Sequence, residues 1–427
     1  MTILIKNGRL VDPVSNTEDK RDILIEKGKI AQVENTISTK ADKTIDATDL
    51  VVAPGFIDMH VHLREPGHEK KETIRTGARA AAKGGFTSVA CMPNTSPIND
   101  SPEITKFILD EAQKSAIVNV FPIAAVTKGL KGEQLTDMRE LQKAGAIAFS
   151  DDGMPVANNE VMRRALESSN LLNTLIIDHC EDKDLSGSGV MHLGLYSNSY
   201  GLDGIPAASE EVMVSRNIVL AKYANSRVHI AHLSVEGAAD LVRMAKGKGI
   251  RITAEVTPHH LLLTDESLLT HDSNMKMNPP LRSQEDVDAM IKALKDGVID
   301  VLVTDHAPHS EDDKAVEISK APFGIIGLET AVPLLLDRFV RTNIISLSHF
   351  VQMISSNPAR ILGLENKGRI CIGADADLTL LNLSRDFIVD INSFESKSKN
   401  SPFHGWELKG CPEMTIVQGK IVYPFTN

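Results

Sequence analysis

What most constrains this chain is a recurring pattern. Eight short apolar, β-prone runs ("GFIDMHVHL", "FTSVACMPN", "IVNVFPIAA", "AIAFSDD", "NTLIIDHCE", "RVHIAHLS", "IRITAEVTP" and "DVLVTDHAPH") alternate with helical stretches such as "KETIRTGARAAAKGG" and "SEEVMVSRNIVLAKYAN". That alternation predicts repeated βα units with parallel strands. Eight units over roughly 250 residues fit a (β/α)8 barrel of TIM type, an α/β fold. A doubly wound open sheet is the rival, but it rarely needs eight units, and no Gly-rich phosphate loop follows the first run.

The flanks read differently. "ILIKNGRLV" and "DILIEKGKIAQVE" near the start each place a Gly turn between β-rich runs, as hairpins do, and "GRICIGADADLTLLNL" and "MTIVQGKIVY" repeat the style near the end. Two separate sheets would each expose unpaired edges. Both ends are therefore expected in one small β-sandwich domain, with 1–53 and 358–427 flanking a barrel over 54–357.

Charge and cysteine usage narrow the function. A net charge of -11 argues against a nucleic-acid surface. The N-terminus lacks a basic region followed by an apolar core, and no apolar run approaches the roughly 18 residues of a membrane helix. Four scattered cysteines without a CxxC pair suit reduced thiols in the cytoplasm. Cys91 and Cys180 read as core residues.

In a barrel the active site lies at the C-terminal strand ends. His60 and His62 end the first run, Asp151 and Asp152 the fourth, His179 the fifth, His232 the sixth and Asp305 the eighth. If the first strand persists, alternation puts His60, His62 and Arg64 on one face. Singly, each His or Asp reads as hydrogen-bonded structure. Jointly they suit zinc or a similar divalent ion, and there are enough ligands for two ions. Parity turns His229 outward, opposite His232. His259 and His260 are candidates for a supporting shell, and His68, His192, His271, His349 and His404 lie off the strand ends. Adjacency forbids Asp151 and Asp152 from both facing the ions, and spacing does not choose between them.

The blocks "PGFIDMHVHLREPG", "MPNT", "FSDDG", "HCE", "HIAHLS", "AEVTPHHLLLT", "KMNPPLR", "TDHAPH" and "KAPFGIIGLETA" resemble, in order and nearly end to end, the class I bacterial dihydroorotases of the amidohydrolase superfamily. The resemblance implies two zinc ions per subunit: one on His60, His62 and Asp305, the other on His179 and His232, with Asp152 bridging. It implies substrate contacts from His62, Arg64, Asn94, Asn278, His309, Phe323 and Gly324. Residues 309–324 would form a loop over the site, and their charged "SEDDKAVE" stretch suits exposed backbone. Hydantoinases, allantoinases and some dihydroorotases bridge their metals with a carboxylated lysine on the fourth strand. "AGAIAFSDDG" has none there.

The implied reaction is the reversible cyclisation of N-carbamoyl-L-aspartate to L-dihydroorotate in pyrimidine synthesis, with a hydroxide between the ions as nucleophile in the hydrolytic direction. Asp305 would be general base and acid, and the Arg64 fork would bind the substrate carboxylate. A small-molecule substrate, a homodimer and association with aspartate transcarbamoylase complete the expectation, with no membrane partner. Another cyclic amidase, hydantoinase- or allantoinase-like, and a non-catalytic scaffold are the alternatives.

Overall fold

The computed structural model describes residues 2–425. Eight parallel strands follow one another around a ring: Phe56–Val61, Phe86–Cys91, Asn119–Ala124, Ala148–Phe149, Ile176–Asp178, Val228–Ile230, Ile252–Val256 and Val301–Leu302. A parallel bridge between Val61 and His306 completes it, and the His62 amide donates to the His306 carbonyl at 2.8 Å. Every run expected to be a barrel strand is one.

Strand alternation sorts the core. Ile57, Met59, Ala90, Ile123, Ala148, Ile177, Ala231 and Val301 pack together inside the ring. Phe56, Phe86, Phe149, Ile176, Val228, Ile230 and Leu302 face the surrounding helices. Burial on both faces explains why these segments read as nearly continuous apolar runs. The helices carry their own punctuation. Thr73 caps helix Ile74–Lys83 in a reciprocal box with Thr76. Asn225, at φ 48, closes helix Ala208–Ala224 in the left-handed conformation.

The two chain ends share one sheet, in the order Lys420–Tyr423, Glu407–Val417, Leu378–Ile388, Val51–Pro54, Thr2–Asp12, Thr17–Glu26 and Lys29–Glu34, with Lys43–Asp46 paired to Thr2–Asp12. Their seam is the antiparallel pairing of Val51–Pro54 with Leu378–Ile388. Ile3, Ile5, Ile25, Val52, Leu378 and Ile416 form its core. "DILIEKGKIAQVE" and "TIVQGKIVY" are hairpins, turning at Lys27-Gly28 and Gln418-Gly419, all at positive φ.

"ILIKNGRLV" is not a hairpin. Thr2–Asp12 continues as one strand, with a bulge between Ile5 and Gly8. Asn7, at φ 65, donates its amide to Asp22 at 3.0 Å and its side-chain nitrogen to Asp46 at 2.9 Å. A Cβ on Gly8 would stand 2.5 Å from Val52 Cγ2. Flanking strands thus absorb the Asn-Gly signal as a bulge.

Candidate metal centre and substrate pocket

The first barrel strand prepares the site by breaking its own register. Between Asp58 and Val61 it carries one residue more than the second strand opposite. The Asp58 carboxylate pins this bulge, accepting the His60 amide at 3.1 Å, the Thr304 amide at 3.3 Å and the Thr304 hydroxyl at 2.6 Å. Met59 packs inside the barrel and His60 still turns toward the mouth. The strand stops at Val61, so Arg64 does not share its face; it stands in a loop at φ 63. His232 and Asp305 also take positive φ, at 26 and 46. Such backbone costs of order 1–3 kcal/mol per residue, and here it occurs at three of the site candidates.

The six proposed ligands converge. His60 Nε2 is 3.4 Å from Asp152 Oδ1 and 3.5 Å from Asp305 Oδ1. His62 Nε2 is 3.5 Å from Asp152 Oδ2 and 3.1 Å from Asp305 Oδ1. His179 Nδ1 and His232 Nε2 each lie 3.8 Å from Asp152 Oδ1, and 2.9 Å from one another. Two buried donor sets result, His60 with His62 and Asp305, and His60 with Asp152 and His232, each with its ligand atoms within 4.8 Å. The structure also separates the adjacent aspartates. Asp151 turns away, accepting the amides of Val126 at 2.8 Å and Thr127 at 3.0 Å and the Thr127 hydroxyl.

This donor set fits a divalent cation. His60 Nε2 and Asp152 Oδ1 are buried, face each other and have no hydrogen-bond partner. Burial disfavours charge on His60, yet Asp152, Glu255 and Asp305 around it hold its imidazole well above the ordinary value. Burial likewise opposes ionisation of Asp152, and the surrounding imidazoles outweigh it, keeping the carboxyl well below its usual range. A cluster that draws a proton so strongly into its centre has the field of a cation site.

Residues behind the ligands fix their orientation. His60 Nδ1 is 2.6 Å from Glu255, whose carboxylate also accepts from His229 Nε2 at 2.9 Å and the His232 amide at 3.2 Å. His229 therefore faces inward, contrary to the parity argument. Val228 and Ile230 point to the helices, and the positive φ at His232 breaks the alternation on which parity relied. His62 Nδ1 donates to Asn94 Oδ1 at 2.9 Å. His179 Nε2 donates to Glu181 at 3.0 Å, where Asn278 Nδ2 also donates at 2.8 Å. His60, His62 and His179 thus keep a nitrogen lone pair toward the centre, whereas His232 Nδ1 has no hydrogen-bond partner. Glu255 and Glu181 were not among the sequence candidates. The signal of Glu255 was a carboxylate inside an otherwise apolar buried run, which requires a partner; Glu181, between His179 and the charged Asp182-Lys183 pair, carried none. His260 is structural, 2.9 Å from the Pro279 carbonyl.

Every residue proposed as a metal ligand or substrate contact, except the wholly buried His60, lines one cavity of about 240 Å³. Arg64 donates through Nε to the Pro308 carbonyl at 3.2 Å, and burial lowers its guanidinium to about 10, still cationic at neutral pH. His309 donates from Nε2 to the Phe323 carbonyl at 2.7 Å and accepts at Nδ1 from Lys71 at 3.3 Å. Gly324 is at φ 120, and a Cβ there would meet Ala307 Cβ at 2.6 Å. Residues 309–324 span the mouth. Their charged stretch is largely exposed, as expected, except for Lys314, which is buried.

A family profile described as dihydro-orotase-like matches residues 49–237, and an amidohydrolase family profile matches 203–423. The chain is 52% identical over 422 residues to a dihydroorotase of Pelotomaculum thermopropionicum, covering 99% of this chain and 98% of that one. The chain belongs to the dihydroorotase family. A second dihydroorotase, from Caldanaerobacter subterraneus subsp. tengcongensis, is 50% identical, with 99% and 97% covered. Solved structures similar to this dihydroorotase-family fold include an L-hydantoinase from Arthrobacter aurescens (TM-score 0.89, 28% identity, 98% of this chain and 95% of that one). A D-hydantoinase from Thermus sp. gives TM-score 0.86 and 27% identity, with 98% and 94% covered. The scaffold is shared across these cyclic amidases, so the side chains at the mouth must distinguish them.

Proposed function

We propose that the chain catalyses the reversible cyclisation of N-carbamoyl-L-aspartate to L-dihydroorotate with two zinc ions in this pocket. The observation that carries the reading is the convergence of six buried candidate ligands, His179 joining the five of the two donor sets, at a cavity that Arg64 also lines. His60, His62 and Asp305 would hold one ion and His179 and His232 the other, with Asp152 shared between them. Zinc supplies Lewis acidity, lowering the pKa of a ligand water to about 7 and polarising a carbonyl oxygen.

The protein's own groups do the rest. Arg64 binds the substrate carboxylate through its planar fork. Asn94, Asn278, His309 and the Phe323-Gly324 backbone line the same cavity and orient the ring. Asp305, at the rim, takes the proton of the attacking water on its carboxylate and delivers it to the departing ring nitrogen. In the synthetic direction a carboxylate and the ureido nitrogen form the ring amide, water leaves and one proton is consumed. Low pH therefore favours closure.

The test is metal content together with turnover of dihydroorotate, hydantoin and allantoin, before and after chelation. Zinc-dependent turnover confined to dihydroorotate is expected. Full activity after removal of every divalent ion, or preference for hydantoin, would overturn the proposal. The family resemblance adds a homodimer and association with aspartate transcarbamoylase. Sedimentation of the chain, alone and mixed with that enzyme, tests both.

A further inference from the structure

Between strands Leu378–Ile388 and Glu407–Val417 of the terminal sheet, residues 394–401 reach across to the barrel mouth. Ser398 Oγ donates to the Lys71 carbonyl at 2.6 Å, and the Lys397 amide donates to Glu72 at 3.1 Å. Asn400 goes further. Its Nδ2 donates to the carbonyls of Ala307 and Gly324, both at 3.1 Å, and its Oδ1 accepts the His309 amide at 3.1 Å. Its own carbonyl accepts the Ile326 amide at 3.0 Å. Asn400 is 5% exposed. These contacts fall on both ends of the loop over the pocket, residues 307–309 and 324–326.

We propose that Asn400 is a positioning residue for the substrate pocket, clasping the two ends of this loop so that His309 and Gly324 meet the substrate in fixed geometry. The inference rests on the reading of His309 and Gly324 as substrate contacts. The chemistry selects an amide. Both Nδ2 hydrogens are spent on two carbonyls that would otherwise face each other in a buried space without a donor. The oxygen of the same group takes the amide between them. His309 depends on the clasp because its Nε2 is tied to Phe323, on the opposite end of the loop. The Ala307 amide joins the same ends by donating to the Ile325 carbonyl at 2.7 Å, and the clasp and this bond together set the imidazole ring.

The terminal sheet is complete without Asn400, and no proposed metal ligand touches it. Loss of the clasp should therefore fall on substrate binding. Asn400→Asp keeps the shape but turns a carboxylate oxygen toward two carbonyls, and Asn400→Ala removes all three side-chain bonds. In the metal-loaded enzyme both should raise KM for dihydroorotate roughly ten- to a hundredfold, with metal content unchanged and kcat much less affected. A purely structural role lowers the active fraction, so kcat falls with KM unchanged; that result overturns the proposal.

Hydrogen exchange on the unaltered protein tests the clasp even if both variants misfold. The amides of His309 and Ile326 should exchange far more slowly than those of 311–317, and equal rates would overturn the proposal. His309→Gln should raise KM independently of the clasp; unchanged KM there removes the functional reading on which the inference rests, while slow exchange at His309 and Ile326 would still uphold the clasp itself.

Discussion

His60 Nδ1 lies 2.6 Å from the Glu255 carboxylate, a contact that joins the first strand of the barrel to the seventh. The carboxylate can only accept, so it holds the proton on Nδ1 and leaves Nε2 free for an ion. Glu255→Gln keeps the volume and weakens that demand. We expect metal affinity to fall about ten- to a hundredfold, read by chelator competition on the apo protein. Unchanged affinity would remove Glu255 from this role.

Arg64 offers a second test. Its Nε is held by Pro308, leaving the remaining guanidinium donors for a ligand. Arg64→Lys keeps the charge and loses the fork. Hydrogen bonds to charged groups contribute about 1.5–3 kcal/mol, so KM should rise between about ten- and a hundredfold with metal content intact. Equal loss of zinc in Arg64→Ala would count against the assignment.

Asp305 is both proposed ligand and proposed proton carrier. Asp305→Asn retains an oxygen for the ion and loses the base. General acid–base catalysis contributes roughly 10²–10⁴-fold, and kcat should fall by that order in protein with its metal complement verified. Near-normal turnover would move the proton carrier elsewhere.

We expect Lys314 to make the loop over the pocket sensitive to pH. Its ammonium donates to the carbonyls of Ser273 at 3.0 Å, Lys276 at 3.2 Å and Pro322 at 2.8 Å. Burial, aided by Lys276 and opposed by Asp272, lowers it to about 7 from 10.5. Opening the loop restores the ordinary value. Between those pH values the open loop holds a proton that the closed loop has lost, so closure releases it and rising pH favours the closed form, by at most about tenfold per unit. Below about 7 both forms are protonated and the preference is flat. Lys276, lowered to about 8, acts in the same direction. Exchange protection over 311–320, corrected for intrinsic rates, should grow from pH 7 to 10 and grow less in Lys314→Met. Protection that falls with pH would reverse the sign.

The barrel was legible because each strand is a short apolar run bounded by turn residues and buried on both faces. The convergence of the candidate ligands was legible because strand ends in a barrel share one rim. What escaped the sequence had non-local causes. The bulge at Asp58 depends on Thr304, 246 residues away. The inward turn of His229 depends on Glu255 across a strand pair and on a positive φ at His232. "ILIKNGRLV" carries a sound hairpin signal that Asp22, Asp46 and Val52 override. Asn400 lies in a polar loop with no periodicity, and only the folded chain reveals its reach.

The ring closes where the His62 amide meets the His306 carbonyl, between the strand that supplies His60 and the one that leads to Asp305. Locking the last stave of the cask and building the reactive centre are consequently a single event. A molecule whose final strand is unseated loses architecture and cation grip together, so metal retention can serve as an assay of correct folding.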